Sequence, residues 1–334
     1  MPPCPVCARA DPLPLAAAED IAREVEMLWA FHIRRLLPAT PPERLADRVY
    51  FSQHPPLGVV RCRGCGLVYR EPREPDGELR ELYEHDAPEP EVMASLHETQ
   101  RAAYRLQARR LARVLGRTGE GLEVGSYVGA FLAAAREAGW RFEGVDVNPC
   151  VNAFARARGF AVTDGDLSSV PGGRRWDAIA FWNCFDQLPD PARAARQARA
   201  LLRDGGTLAV RVPNGACYAA LRPLLRGPAA PLARAILAQN NLLTFPYRVG
   251  FTPRALRTLL EGAGFTLVRL YGDPLVPVAD EYTRAWAAVE ERLLKGAIRV
   301  AALPPVVRGV APWIECYARA RNAGIGTRDS MPDD

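Results

Sequence analysis

Residues 122–131 read Leu122-Glu123-Val124-Gly125-Ser126-Tyr127-Val128-Gly129-Ala130-Phe131, and Leu132-Ala133-Ala134-Ala135 continue them. A short apolar run carrying one acid enters a turn with two glycines, and small apolar residues follow at once. The pattern reads as a strand, a turn and the start of a helix. Glycine opens backbone conformations closed to other residues and lets a ligand lie against the chain. The helix start behind the turn offers unpaired N–H groups and the positive end of a dipole. Such a turn suits a nucleotide-like ligand, and the residues around it select which one.

Downstream, strands and helices alternate. The spacing predicts strands at Phe142–Val147, Ala161–Thr163, Arg175–Asn183, Thr207–Val212 and Phe265–Tyr271. Helices are predicted at Val151–Arg158, at Pro191–Leu202 and after Thr252, an N-cap with Pro253 in the first turn and Gly264 past the end. Tyr218 to Phe245 reads as a helical cap broken near Gly227, and a helix over about Ala279–Val300 precedes a last strand, Trp313–Ala318. That last strand is expected to run antiparallel beside Phe265–Tyr271. The alternation predicts an α/β chain with a doubly wound, mostly parallel sheet.

Asp146 lies at the end of the strand Phe142–Val147, 21 residues after Gly125. Nucleotide-binding folds place a ribose-binding carboxylate at this interval. A dinucleotide fingerprint also requires a middle glycine where the pyrophosphate meets the backbone. Tyr127 stands there instead, which argues against NAD.

Upstream, residues 91–116 form a long amphipathic helix, with Leu96, Ala103, Leu106, Leu111, Val114 and Leu115 as its apolar side. Glu71 to Pro90 is rich in Pro, Glu and Asp and reads as a linker with a single helical turn, anchored by Leu79, Leu82 and Tyr83. Before it stand two C-x2-C pairs, Cys4/Cys7 and Cys62/Cys65. Four thiolates around one tetrahedral Zn2+ make a closed, structural site. Iron is the alternative ion for a sulfur-only site. Between the pairs lie a helix from about Ala16 to Leu37 and short strands at Val49–Phe51 and Val59–Arg61. His32 falls on the apolar face of that helix as a packed residue, and His54 is given no role.

The 334 residues, 49% hydrophobic and 24% charged, describe an ordinary globular chain with room for one large domain and a smaller module. The remaining cysteines, Cys150, Cys184, Cys217 and Cys316, are single. No apolar run approaches the ~18–20 residues of a membrane span. The segment MPPCPVCARADP lacks a basic region followed by an apolar one, so a cytoplasmic location is expected. A net charge of +5 is spread over arginines in every segment, which argues for solvated helix faces rather than a nucleic-acid surface. Lys295 is the only lysine, so Schiff-base chemistry has one candidate amine.

The runs LEVGSYVGAF, GVDVNP, GDL, WDAIAFWNCFDQLPDP and LLRDGGTLAVRVPN, in that order, resemble class I S-adenosylmethionine-dependent methyltransferases over about residues 92–320. The paired CxxC module resembles the zinc-binding N-terminal domain of one branch, which includes sugar C-methyltransferases. The resemblance implies a Rossmann-like seven-stranded sheet with an antiparallel last strand. It divides the chain into a zinc-binding module with a helical insertion (1–85), a methyltransferase domain (91–321) and a disordered tail (322–334). The methyltransferase domain would carry a cap at 216–250 and a helical insertion at 273–310.

The resemblance also implies roles. Gly125, Tyr127 and Gly129 would lie along the methionine part of S-adenosyl-L-methionine, and Glu123 would take its amino group. Asp146, with Asn148 beside it, would accept the ribose hydroxyls, since a carboxylate has two oxygens suited to a vicinal diol. Asp166 and the N–H of Leu167 would read the adenine edge, and Trp182 and Asn183 would line the floor near the sulfonium. The related branch has a Glu-His pair after the fourth strand, where this chain has Asp186-Gln187. Asp186 is therefore a candidate base or hydroxyl-orienting group, with an N-cap-like role as its alternative. His97 is a second candidate, followed by His85, Tyr127 and Tyr218. A small-molecule acceptor is the expected partner. The alternative is a zinc-module protein that binds or methylates RNA.

Overall fold

The computed structural model describes residues 3–40, 57–72, 76–240, 242–243, 248–275, 282–301 and 311–322. The expected strand Val49–Phe51, His54 and the tail from 323 onward lie outside the described residues.

The first CxxC pair leads into β1 (Pro12–Ala16), which pairs antiparallel with β2 (Gly58–Cys62), the strand that carries Cys62. After Cys65 the chain turns back as β3 (Val68–Glu71), antiparallel to β2. Helix α1 (Ala18–Ile33) buries Ile21, Val25, Leu28 and Phe31, one face at helical spacing. Next come α2 (Asp76–His85) and the long α3 (Pro90–Leu115), which Gly116 ends in a left-handed C-cap.

The alternating part then runs β4 (Glu120–Val124), α4 (Ala130–Glu137), β5 (Arg141–Asp146), α5 (Pro149–Ala157), β6 (Val162–Asp164), β7 (Trp176–Trp182), α6 (Pro191–Leu201) and β8 (Leu202–Pro213). The cap consists of α7 (Gly215–Leu221), a 3-10 turn at Arg222–Arg226 and α8 (Ala230–Leu237). Two residues, β9 (Val249–Gly250), then return to the first sheet and pair antiparallel with β3. The chain closes with α9 (Pro253–Gly262), β10 (Phe265–Asp273), α10 (Ala285–Ala301) and β11 (Trp313–Ala320).

The larger sheet has the order β10-β11-β8-β7-β4-β5-β6. Neighbours from β8 to β6 are parallel, and β11 is antiparallel to both β8 and β10. From β4 the chain winds first to β5 and β6 on one side, then to β7 and β8 on the other. The reversal opens a crevice beyond the carboxyl ends of β4 and β7, where open α/β sheets hold their ligands.

One sheet face packs Val124, Phe181 and Val210 against α6, α9 and the cysteine knuckles, so Cys4, Cys62 and Cys65 share a core with Val249, Phe251 and Leu256. The opposite face packs Ala178, Ala180, Trp182 and Ala209 against α3 and α4. A third core joins α1, α7 and α8 around Val59 and Val68.

The doubly wound seven-stranded sheet and its antiparallel last strand match the expectation. Three readings need correction. The stretch that reads as a linker contains α2, a helix of ten residues rather than a single turn. In α3, Leu106 is 39% exposed, and the buried line is Met93, His97, Tyr104, Gln107, Ala108 and Leu111. That face contains polar residues that an apolar count overlooks. Strand β1, between Cys7 and α1, was not foreseen. Trp182 packs against Phe131 at 5.2 Å and Tyr104 at 6.2 Å between ring centroids, within the core of its sheet face.

Candidate active site and cysteine cluster

The turn after β4 reaches across the crevice. Gly125 has φ +72° and Gly129 φ +71°, the left-handed region that glycine tolerates. A Cβ at Gly125 would stand 3.0 Å from the sulfur of Cys184, in the loop after β7. That thiol donates to the Val124 carbonyl at 3.1 Å, so the two loops touch at the switch point.

Two non-glycine residues in this crevice are also left-handed, Tyr127 (φ +45°) and Asn183 (φ +62°). Such residues cost energy and persist where the surroundings over-determine them. The Tyr127 N–H donates to Asp146 Oδ2 at 2.9 Å, and the Asn148 N–H to Asp146 Oδ1 at 3.0 Å. Asn148 in turn caps α5, accepting from the N–H groups of Cys150 and Val151. Burial pushes the Asp146 carboxyl upward against the pull of these amides.

Asn183 is clamped by three bonds. Its N–H donates to the Arg211 carbonyl at 3.1 Å, its carbonyl accepts from Gln187 Nε2 at 2.6 Å, and its Oδ1 accepts from Arg211 Nε at 2.8 Å. Guanidinium has donors only, so the amide must turn its oxygen to Arg211.

Glu123, in β4, is 3% exposed, and its Oε2 has no hydrogen-bond partner. Burial, then the nearby Asp146, raise its carboxyl well above the usual range, while Arg211 opposes them. Asp186, in the 3-10 turn Phe185–Gln187, is 1% exposed and leaves both carboxylate oxygens unpartnered. Burial raises it well above normal, against its own backbone N–H and Arg70 of β3.

Asp166 is more open. It caps the turn Leu167–Ser169, accepts from the Ser168 N–H at 2.8 Å and lies 3.5 Å from Arg80 of α2. Two more bonds tie the α2 region over the same edge: Tyr83 donates to Gln187 Oε1 at 2.7 Å, and Asn148 Nδ2 donates to the Asp86 carbonyl at 2.8 Å.

Glu123, Gly125, Tyr127, Gly129, Asp146, Asn148, Asp166, Leu167, Asn183 and Asp186 thus belong to the carboxyl-end region of β4 to β7. His97 is placed differently: its Nδ1 lies 2.8 Å from the Val128 carbonyl, and Phe154 and Phe160 stand 6.1 and 6.3 Å from its ring. His85 bonds within α2 to the Glu81 carbonyl, and Tyr218 donates to Glu24 in the third core. Sequence reasoning missed Arg211, although an arginine in the apolar run Leu208-Ala209-Val210-Arg211-Val212 is a signal, because parallel strands are covered on both faces.

The sulfurs of Cys4, Cys7, Cys62 and Cys65 all lie within 4.8 Å of one another, with 3.6 Å between Cys4 and Cys65 and 3.4 Å between Cys7 and Cys62. Sulfurs at ~2.3 Å around tetrahedral Zn2+ stand about 3.8 Å apart, so the cluster needs little adjustment to hold one ion.

A sequence-family model described as "Methyltransferase domain" matches residues 96–270. Solved structures with similar folds include the Burkholderia thailandensis 1,6-didemethyltoxoflavin-N1-methyltransferase, at 19% identity and TM-score 0.45 over 80% of this chain and 96% of that one. A Thermotoga maritima S-adenosylmethionine-dependent methyltransferase, a possible histamine N-methyltransferase, matches at 18% identity and TM-score 0.44 over 68% and 91%. The Streptoalloteichus sugar N-methyltransferase KedS8 matches at 21% identity and TM-score 0.34 over 37% and 53%. No curated protein matches the chain in sequence.

Proposed function

Because the chain belongs to the methyltransferase domain family over residues 96–270, we propose that it methylates a small-molecule acceptor, sugar-like or a secondary metabolite, by in-line transfer. The observation that carries this reading is the pairing of the left-handed Gly125 turn with Asp146, whose carboxylate two backbone N–H groups hold in place. Bound S-adenosylmethionine supplies an activated methyl on a sulfonium. Asp146 keeps lone pairs for two ribose hydroxyls, Asp166 and the Leu167 N–H take the adenine edge, and Glu123 takes the amino group. Gly125 and Gly129 let the backbone approach. The protein's main contribution is then to hold the acceptor on the axis of the departing sulfur.

Asp186 is assigned to the acceptor. Within Asn183–Gln187, Asn183, Cys184 and Gln187 have hydrogen-bond partners and Phe185 packs against Phe181, while the Asp186 carboxyl is unpartnered. A buried carboxyl without a partner is costly unless a ligand donates to it. A hydroxyl or amine of the acceptor would donate to Asp186, which can take its proton. His97 is a weaker choice of base because Nδ1 is engaged with Val128.

We assign Cys4, Cys7, Cys62 and Cys65 to one structural Zn2+, with residues 1–85 as the metal-bearing module beside the acceptor and 91–321 as the catalytic unit. Surface arginines are matched by acids, as where Arg117 and Arg203 flank Asp177, which supports a small acceptor over RNA. No described helix is long and apolar enough to cross a membrane, and a cytoplasmic location is part of the proposal.

Calorimetric titration with S-adenosylmethionine tests the cofactor assignment, and absence of binding would overturn it. Tritiated methyl transfer into the small-molecule fraction of an extract tests the acceptor class. Label entering RNA instead would favour the alternative.

A further inference from the structure

Arg211 does more in this crevice than hold Asn183. Register places Trp182 opposite Arg211 and Arg211 opposite Glu315, on the face packed against α3. Glu123 lies on the same face of the sheet, opposite Ala180, two residues before Trp182 along β7. Arg211 is 5% exposed, and its guanidinium carbon stands 5.1 Å from the Tyr104 ring centroid and 5.7 Å from that of Trp182.

No carboxylate holds two of its N–H groups. Nε donates to Asn183, a neutral partner. Nη1 is 3.5 Å from Asp273, whose other oxygen already accepts the Leu275 N–H. The Tyr104 hydroxyl is a further hydrogen-bonding neighbour of the guanidinium, and it is neutral. Glu315, the acid across the strand pair, is occupied by Gln107, Arg110 and Tyr317. A buried guanidinium is best matched by a carboxylate on two of its N–H groups, and none of these acids provides that.

Glu123 has the complementary deficit, an unpartnered Oε2. The two residues influence each other electrostatically, yet they do not form an ion pair. A buried acid with an unpartnered oxygen and a buried guanidinium without a two-point carboxylate partner, on one face, match an α-amino-acid zwitterion lying between them.

We propose that Arg211 binds the carboxylate of the cofactor's methionine end, while Glu123 receives its ammonium. This inference rests on the S-adenosylmethionine reading above. It makes Arg211 a ligand-binding residue as well as the group that orients Asn183.

S-Adenosylhomocysteine and its decarboxylated analogue separate the two roles. Both are titrated into the wild-type protein, Arg211→Lys and Arg211→Met, with thermal melts to verify folding. Wild type is expected to prefer the carboxylate-bearing ligand by at least tenfold, with the preference reduced in Arg211→Lys and abolished in Arg211→Met. A merely structural role would weaken both ligands equally and leave the ratio intact, which overturns the proposal. No preference in wild type overturns it too. Failure of wild type to bind S-adenosylhomocysteine at all would sink the cofactor reading itself. Should Arg211→Met not fold, the Arg211→Lys ratio decides.

Discussion

Tyr127 donates its backbone N–H to Asp146 Oδ2 at 2.9 Å while held in a left-handed conformation, φ +45°. The strained residue and the buried acid fix each other. The amide needs the carboxylate, and the carboxylate is aimed by the amide. Asp146→Ala removes both the aim and the proposed ribose partner. Loss of charged hydrogen bonds worth roughly 1.5–3 kcal/mol predicts a tenfold to hundredfold weaker affinity for S-adenosylmethionine by calorimetry. Unchanged affinity would remove Asp146 from the site.

Helix α2 is tied to the crevice by Tyr83 on Gln187 and Arg80 near Asp166, and the Asp86 carbonyl just after it meets Asn148. These contacts touch the loops after β5, β6 and β7. Tyr83→Phe keeps the ring but removes the donor to Gln187 Oε1. Stopped-flow release of S-adenosylhomocysteine is expected to quicken severalfold, with little change in melting temperature. An unchanged release rate would show that α2 does not gate the ligand.

Cys62 contributes to the cysteine cluster and also to a core shared with Phe251 and Leu256. Metal loss should therefore be felt in the methyltransferase sheet. Elemental analysis is expected to find one zinc per chain, lost in Cys62→Ser together with a fall in melting temperature. Metal-free wild-type protein with an unaltered melt would defeat the zinc assignment.

The alternation of strands and helices, the glycine turn after β4 and the position of Asp146 at the end of β5 were legible because each depends on local pattern and spacing. The pairing of β9 with β3 was not: Val249 and Gly250 are two residues meeting a strand far earlier in the chain, and only burial selects them. The buried polar line of Arg211, Asp273 and Glu315 was missed for a related reason. One polar residue in an apolar strand looks like a solvent-facing position until it is known that helices cover both sheet faces. Asn183 and Asp186 were found as candidates, but the arginines around them were not, because Arg211 bonds Asn183 from β8 and only the charge of Arg70, in β3, is felt at Asp186.

Asp177 anchors the opposite end of the sheet. Arg117 lies 2.6 Å and Arg203 2.8 Å from its oxygens, and the Glu120 N–H donates at 2.9 Å. Burial pulls its carboxyl upward, but these partners outweigh it and bring the group down to about 2. A carboxyl at about 3.9 in the unfolded chain is then protonated first in that state. Its stabilising contribution is complete above about pH 4 and is lost as pH falls toward 2. Urea midpoints measured between pH 5 and 2 should fall more steeply for wild type than for Asp177→Asn. Parallel slopes would show that the pairs contribute nothing.

The two knuckles repeat one geometry. The Cys4 N–H donates to the Arg9 carbonyl and the Ala8 N–H to the Cys4 carbonyl, both at 2.9 Å. In the second, Cys62 donates to Leu67 at 2.8 Å and Gly66 to Cys62 at 2.9 Å. Ala8 therefore occupies the position of Gly66, and both are left-handed, at φ +58° and +82°. An L-residue there costs roughly 1–2 kcal/mol, which glycine avoids. Glycine's extra freedom in the unfolded chain returns part of that, about 0.4–1 kcal/mol. Ala8→Gly should thus raise the melting temperature of the zinc-loaded protein by about 1–3 °C, and Gly66→Ala should lower it. The second change meets no crowding, since a Cβ at Gly66 would stand 3.4 Å from Thr252 Oγ1. Backbone conformation alone then separates the variants, and a destabilised Ala8→Gly would mean the first knuckle does not need its left-handed turn.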